Sequence, residues 1–250
     1  MTNKVPFHEL TFDKFRELAT SVQLTHHEKV GFPNQYREGK EEAIFADMRA
    51  KLRSLDGRHK TVLEVGPGCS RLPIMLAVLC EERDHQLHFV DSPEMLAQLP
   101  EEAHIQKWPG RYPGDVDELF AQLSGKVDSV IAYSVIQYVF TEGNLWDFLD
   151  RTLSLLADGG EILFGDIPNT TMRKRFFSSA AGVQCHREYT GCDELPEVRF
   201  NLLEPGQMDD SVVLAILARA RAQGYHAWLV PQADDLPMAN RREDILIRKP

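Results

Sequence analysis

At 250 residues, 43% of them hydrophobic and 26% charged, the chain is globular in composition, can bury a sizeable core, and suits one α/β domain with decorations. A formal charge of −10 repels a phosphate backbone and argues against a nucleic-acid binder, because that affinity rests on clustered cations releasing counterions. The stretch Met1 to Leu10 has no uninterrupted apolar segment, no run approaches the roughly 20 apolar residues that cross a bilayer, and four cysteines without a CxxC pair suit a reducing compartment, so the expectation is a cytoplasmic protein without a membrane partner.

Residues 1–58 read as a helical cap. Phe12, Phe15, Leu18 and Ala19 recur at helical spacing, Val30 to Asn34 is a turn, and a second helix runs from Lys40 to Leu52. From Thr61 short apolar runs alternate with helical patterns, the signature of βαβ units and a parallel sheet, here placed in a domain of residues 59–250. Strand one is Thr61 to Val65, followed after Gly66 by a helix around Leu72 to Leu79. Strand two, Leu87 to Val90, ends on Asp91, and Ser92-Pro93-Glu94 supplies an N-cap, a proline at the first helical position and a first-turn acid. Strand three is Ala103 to Lys107, with Trp108 to Gly114 as loop and a helix over Val116 to Leu123. Strand four, Asp128 to Tyr133, runs into Ser134 to Tyr138. A helix from Leu145 to Leu156 stops at Asp158-Gly159-Gly160, read as a glycine C-cap, and strand five is Glu161 to Phe164, running up to Gly165-Asp166.

Pro168 to Gly206 has no clean period and reads as an insertion or lid; its Arg173-Lys174-Arg175 is either a solvated surface or part of an anion-binding lid. A helix follows from Val212 to near Gly224. Strands His226 to Val230 and Asp244 to Ile247 are joined by too short a link for a crossover helix and are therefore antiparallel. The result is a three-layer α/β fold: a seven-stranded, mostly parallel sheet with its last strand reversed.

Gly66-Pro67-Gly68, between a buried strand and a helix, lets a ligand approach the backbone beside unpaired helix N–H groups. A dinucleotide fingerprint wants a third glycine where Arg71 stands, and no Gly-Lys-Ser/Thr follows, so nicotinamide and P-loop chemistries are disfavoured. Cys185, His186 and Cys192 match no common zinc spacing, and no metal is expected.

Glu64-Val65-Gly66-Pro67-Gly68 resembles the first motif of class I, Rossmann-like, S-adenosyl-L-methionine (SAM)-dependent methyltransferases, an acid followed by x-Gly-x-Gly. Asp91 is similar to the acid that in this family accepts the ribose hydroxyls, Val127 to Val139 resembles the fourth motif, and Leu156 to Leu163 resembles the Leu-x-x-Gly-Gly turn into strand five. Ser70 replaces a frequent third glycine, Gln137-Tyr138 stand where many small-molecule members have histidines, and no acid marks the adenine contact, for which Trp108, Gly110 and Arg111 are the nearest candidates. The stretches Gly31 to Arg37, Glu41 to Phe45, Gly165 to Asn169 and Ala239 to Asp244 resemble methyltransferases of bacterial surface-sugar and flagellin-glycan pathways.

The resemblance implies SAM as cofactor and a small-molecule acceptor, with oligomeric state left open. Glu64, Gly66, Pro67, Gly68, Asp91, Ser92 and Ser134 are the expected cofactor contacts, and Tyr36 and Arg37 are candidates to close over its carboxylate, which a guanidinium binds in a two-pronged way. For a hydroxyl acceptor a base helps, and His26, His27 and Asp166 are the candidates. Two other readings stay open: an aminopropyl transferase, which would want paired acids that Ser134 to Gln137 do not supply, and a non-catalytic SAM-binding scaffold or sensor.

Overall fold

The computed structural model describes residues 10–250; all but Leu10 of the Met1 to Leu10 stretch lies outside the described residues. One sheet holds β1 (Thr61–Val65), β2 (Gln86–Asp91), β3 (Ile105–Pro109), β4 (Val127–Tyr133), β5 (Leu156–Pro168), β6 (His226–Pro231) and β7 (Arg242–Arg248) in the order β3-β2-β1-β4-β5-β7-β6. β1 pairs in parallel with β2 and β4, and β4 with β5, whereas β7 is antiparallel to both β5 and β6. The reversed last strand is thus present.

The central strands read as continuous apolar runs because helices cover both faces. Val62, Leu87, Phe89, Ile131 and Leu163 pack against α4 (Glu41–Lys51) and α5 (Arg71–Glu82) on one side. On the other, Leu63, Val130, Ile162 and Ile245 meet α7 (Asp117–Leu123), α9 (Leu145–Leu155) and α12 (Asp210–Ala222). In α9 the spacing of Leu145, Phe148, Leu149, Thr152 and Leu153 places one buried stripe on the sheet, and Asn144 caps it by accepting the Trp146 and Asp147 N–H groups. Ser92 accepts the Met95 N–H at the start of α6 (Pro93–Leu96), with Pro93 in the first turn. Ahead of the sheet stand α1 (Phe12–Thr20), α2 (His26–Lys29) and α3 (Asn34–Arg37), with α1 packed on α6.

Four local expectations change. Helix α9 ends at Leu155, because Leu156 is extended, fully buried and paired with Val127; Asp158-Gly159-Gly160 then forms an excursion within β5, with Gly159 at φ +75°, and is not a helix cap. β3 begins at Ile105, Ala103 and His104 being turn, and runs through Trp108 and Pro109, which pair with Val90 and Asp91 on this edge strand. The run after β4 turns into α8 (Ile136–Glu142). The insertion holds α10 (Thr170–Phe177) and α11 (Ala180–Thr190), capped by Asn169 and Ser179; α11 lies largely exposed and α10 fully buries only the polar Thr170 and Lys174, so neither has an apolar period to read. Among the described residues no helix is long and apolar enough to cross a membrane.

Candidate active site

The strand order reverses between β1 and β4, and the crevice beyond their carboxyl ends is where open α/β sheets take ligands. A pocket of about 370 Å³ lies there. Its floor is the glycine turn. Gly66 and Gly68 adopt φ +66° and +65°, which L-residues avoid; a Cβ on Gly66 would sit 2.7 Å from Val135 Cγ2, and one on Gly68 would run into Val30 Cγ1.

Asp91, ending β2, points at that turn. Its Oδ2 accepts the Gly68 N–H at 3.1 Å and its Oδ1 the Ser92 N–H at 2.6 Å. Burial raises its carboxyl to about 6 even though the Ser92 and Gly68 N–H groups pull the other way. Glu64 is buried with no partner for Oε2, and desolvation, reinforced by the charge of Asp91, pushes its carboxyl up to about 8. Burial thus favours the neutral form of Glu64 more strongly than that of Asp91, whose two N–H donors stabilise the carboxylate.

The second wall is the cap. Phe12 and Phe15 of α1 line the pocket: Phe15 meets Tyr138 edge-on at 5.0 Å, Arg111 lies 4.9 Å from the Phe12 ring, and the Phe12 N–H donates to Glu142 Oε2 at 3.1 Å. Arg16 clamps the Glu94 carboxylate from outside, with Nε at 3.0 Å and Nη2 at 2.8 Å. Deeper, His27 Nε2 lies 2.5 Å from Glu41 Oε1 and Nδ1 lies 3.1 Å from Asn34 Oδ1. Burial alone would raise the Glu41 carboxyl, but its own backbone N–H and His27 outweigh it and hold the group below the usual range.

The third wall is built at the ends of β4 and β5. Ser134 and Asp166 both have left-handed backbones, φ +60° and +59°, where a residue other than glycine is uncommon. Their side chains hydrogen bond to each other. Arg37 Nη2 donates to Asp166 Oδ2 at 2.5 Å and to Ser134 Oγ at 2.8 Å, its guanidinium lies 4.1 Å from the Phe32 ring centre, and its Nε has no partner. Arg242 Nη1 reaches the same Asp166 Oδ2 at 2.7 Å.

No family model matches the chain, and no curated protein matches its sequence. Solved structures do match. The N-methyltransferase NodS from Bradyrhizobium japonicum, bound to S-adenosylhomocysteine (SAH), is 16% identical with a TM-score of 0.55, the match covering 96% of this chain and 98% of that one. The plantazolicin methyltransferase BpumL, bound to SAH and a desmethyl plantazolicin analogue, is 12% identical with a TM-score of 0.56 and 96% coverage of each chain. The CurJ carbon methyltransferase is 13% identical with a TM-score of 0.56 over 86% of this chain, which spans only 56% of the CurJ chain. The chain has the class I methyltransferase fold.

Within that fold the pocket gathers Glu64, Gly66, Pro67, Gly68, Asp91, Ser134, Arg37 and His27. Of the adenine candidates Gly110 and Arg111 line it, whereas Trp108 is buried and donates its Nε1–H to His88 Nδ1 at 3.1 Å, an imidazole that burial depresses to about 4. Ser92 serves Asp91 and α6 from beside the pocket. Tyr36 is half-buried and His26 exposed, and neither is in the lining. Asp166 lies behind the wall, its Oδ2 held by three donors. Sequence reasoning passed over Glu41 and Arg242. Glu41 reads as an ordinary first-turn acid, and Arg242 is one cation in a charged run, so only the fold reveals their partners.

Proposed function

We propose that the chain is a SAM-dependent methyltransferase acting on a small polar acceptor, a hydroxyl of a sugar or related metabolite. One observation carries the reading: a buried carboxylate, Asp91, turned onto a left-handed glycine turn, beside a buried acid, Glu64, with an unpartnered oxygen. Each Asp91 oxygen accepts one backbone N–H and keeps lone-pair capacity for the two hydroxyls of a ribose. Gly66, Pro67 and Gly68 leave the backbone open to close approach. Arg37, with Ser134, faces the place for a carboxylate, and Gly110 and Arg111 flank the adenine side. Bound there, SAM supplies a methyl group on a sulfonium, open to in-line displacement. The cap excludes water with Phe12, Phe15 and Phe32. The His27–Glu41 pair is the titratable group we assign to the acceptor proton, while Asp166 serves to hold Arg37.

A non-catalytic SAM-binding protein is the second reading. It is favoured by the engagement of both His27 ring nitrogens and of Asp166 Oδ2 with other protein groups. Calorimetry with SAM and SAH tests the site: both bind the wild type, and Asp91→Ala loses at least roughly tenfold in affinity, the weight of hydrogen bonds to a charged acceptor. SAH release from SAM in the presence of sugar and metabolite pools separates catalyst from binder. Binding of NAD in place of SAM would overturn the assignment.

A further inference from the structure

Segments 31–37, 165–169 and 239–244, far apart in sequence, meet around the carboxyl end of β5. The β5–β7 ladder pairs Phe164 with Ile245 and Ile167 with Glu243, so Gly165 and Asp166 together stand opposite the single residue Asp244. Two residues against one make a β-bulge, which turns a side chain out of its strand's alternation. Asp166 takes φ +59° there, a conformation an L-residue keeps only where its surroundings hold it.

What holds it is a side chain. Asp244 has no exposed surface, and its Oδ1 accepts the Asp166 N–H at 2.8 Å and the Gln232 Nε2–H at 3.0 Å. Its Oδ2 accepts Lys51 Nζ at 2.8 Å, a cation brought from the last turn of α4 and shared with Asp47. The bulge N–H, which has lost its ladder partner, is thus satisfied by a carboxylate that a lysine fixes. Asp166 in turn receives Arg37 and Arg242. Of Lys51, Asp244, Asp166 and Arg37, only Arg37 reaches the pocket.

We propose that Asp244, fixed by Lys51, is a positioning residue of the cofactor site: it sets the bulge that aims Asp166 at Arg37, and so orients the guanidinium that takes the carboxylate of the cofactor's amino-acid end. This rests on the pocket being a SAM site. Two ligands isolate it: SAH and methylthioadenosine share the adenosyl thioether, and only SAH carries the amino-acid carboxylate. Asp244→Asn keeps the shape but removes the charge that Lys51 holds, and Lys51→Met removes the cation. Both variants lose roughly tenfold in SAH affinity and keep wild-type affinity for methylthioadenosine, while Lys51→Arg keeps both. Should Asp244→Asn fail to fold, the two lysine variants read the same split. Equal losses on the two ligands, or no loss on either, overturn the positioning role. A wild type that binds neither ligand overturns the SAM reading instead.

Discussion

Asp91 and Glu64 end up a few ångströms of backbone from one turn, yet they differ in what touches them. Asp91 has two N–H donors, whereas Glu64 Oε2 has none and its carboxyl rises from 4.5 to about 8. An acid whose pKa rises on folding binds its proton more tightly in the native state than in the unfolded chain. The stability this gives is complete below pH 4.5 and is lost as pH climbs to about 8, by up to about 1.4 kcal/mol per pH unit. Asp91 acts with the same sign between 3.8 and about 6. Ligand-free protein should therefore weaken steadily from pH 6 to 8 in urea titrations, and Glu64→Gln should flatten that interval. A wild-type midpoint that stays level there would mean that water or a nearby cation keeps Glu64 ionised throughout the interval. These two acids were legible in the sequence because Glu64 stands next to last in its strand beside a glycine turn and Asp91 closes its strand beside a helix cap. The His27–Glu41 and Asp166–Arg242 pairs were not, since partners 14 and 76 residues apart meet only through tertiary packing.

Helical elements fared unevenly for one reason: periodicity reports burial. α9 and α12 each bury a stripe against the sheet and could be read, while α11 buries only Gly182 among its residues and α8 only Ile136. The turn between α2 and α3 was readable through Gly31, but not its target, the contact of Val30 with the glycine loop. That contact is measurable. Gly68→Ala forces a Cβ into Val30 Cγ1 at φ +65° and should weaken SAH binding by about 1–3 kcal/mol. Val30→Ala in the same chain removes the collision and leaves only the backbone strain, so a double-mutant cycle should give a favourable coupling of about 1 kcal/mol. Strictly additive losses would show that the cap does not rest on the loop when ligand binds.

At the scale of the whole molecule, the alternation of strands and helices and the short link between β6 and β7 were enough to give the sheet and its reversed strand, because chain connectivity leaves few other arrangements. The extent of the cap was less accessible, since an amphipathic helix looks the same whether it covers a lid or a sheet. Residues 1–58 read as one unit, yet Ile44 and Met48 of α4, with Leu52 and Leu55 just after it, are almost completely buried against β1, β2, β4 and β5. Lys51 adds its ion pair to Asp244 of β7. Each such side chain contributes about 1.5–3 kcal/mol on burial. Four of them approach the whole stability of an ordinary domain, about 5–15 kcal/mol. We therefore propose a structural boundary near Gly39, a left-handed residue at which an added Cβ would meet open space. Removal of residues 1–38 should leave a cooperatively melting domain that has lost α1, Val30, Phe32 and Arg37 and binds SAH weakly. Removal of residues 1–58 should leave a chain without a cooperative transition in circular dichroism. If the shorter fragment melts as sharply as the longer one, α4 is a lid after all and its buried face is dispensable.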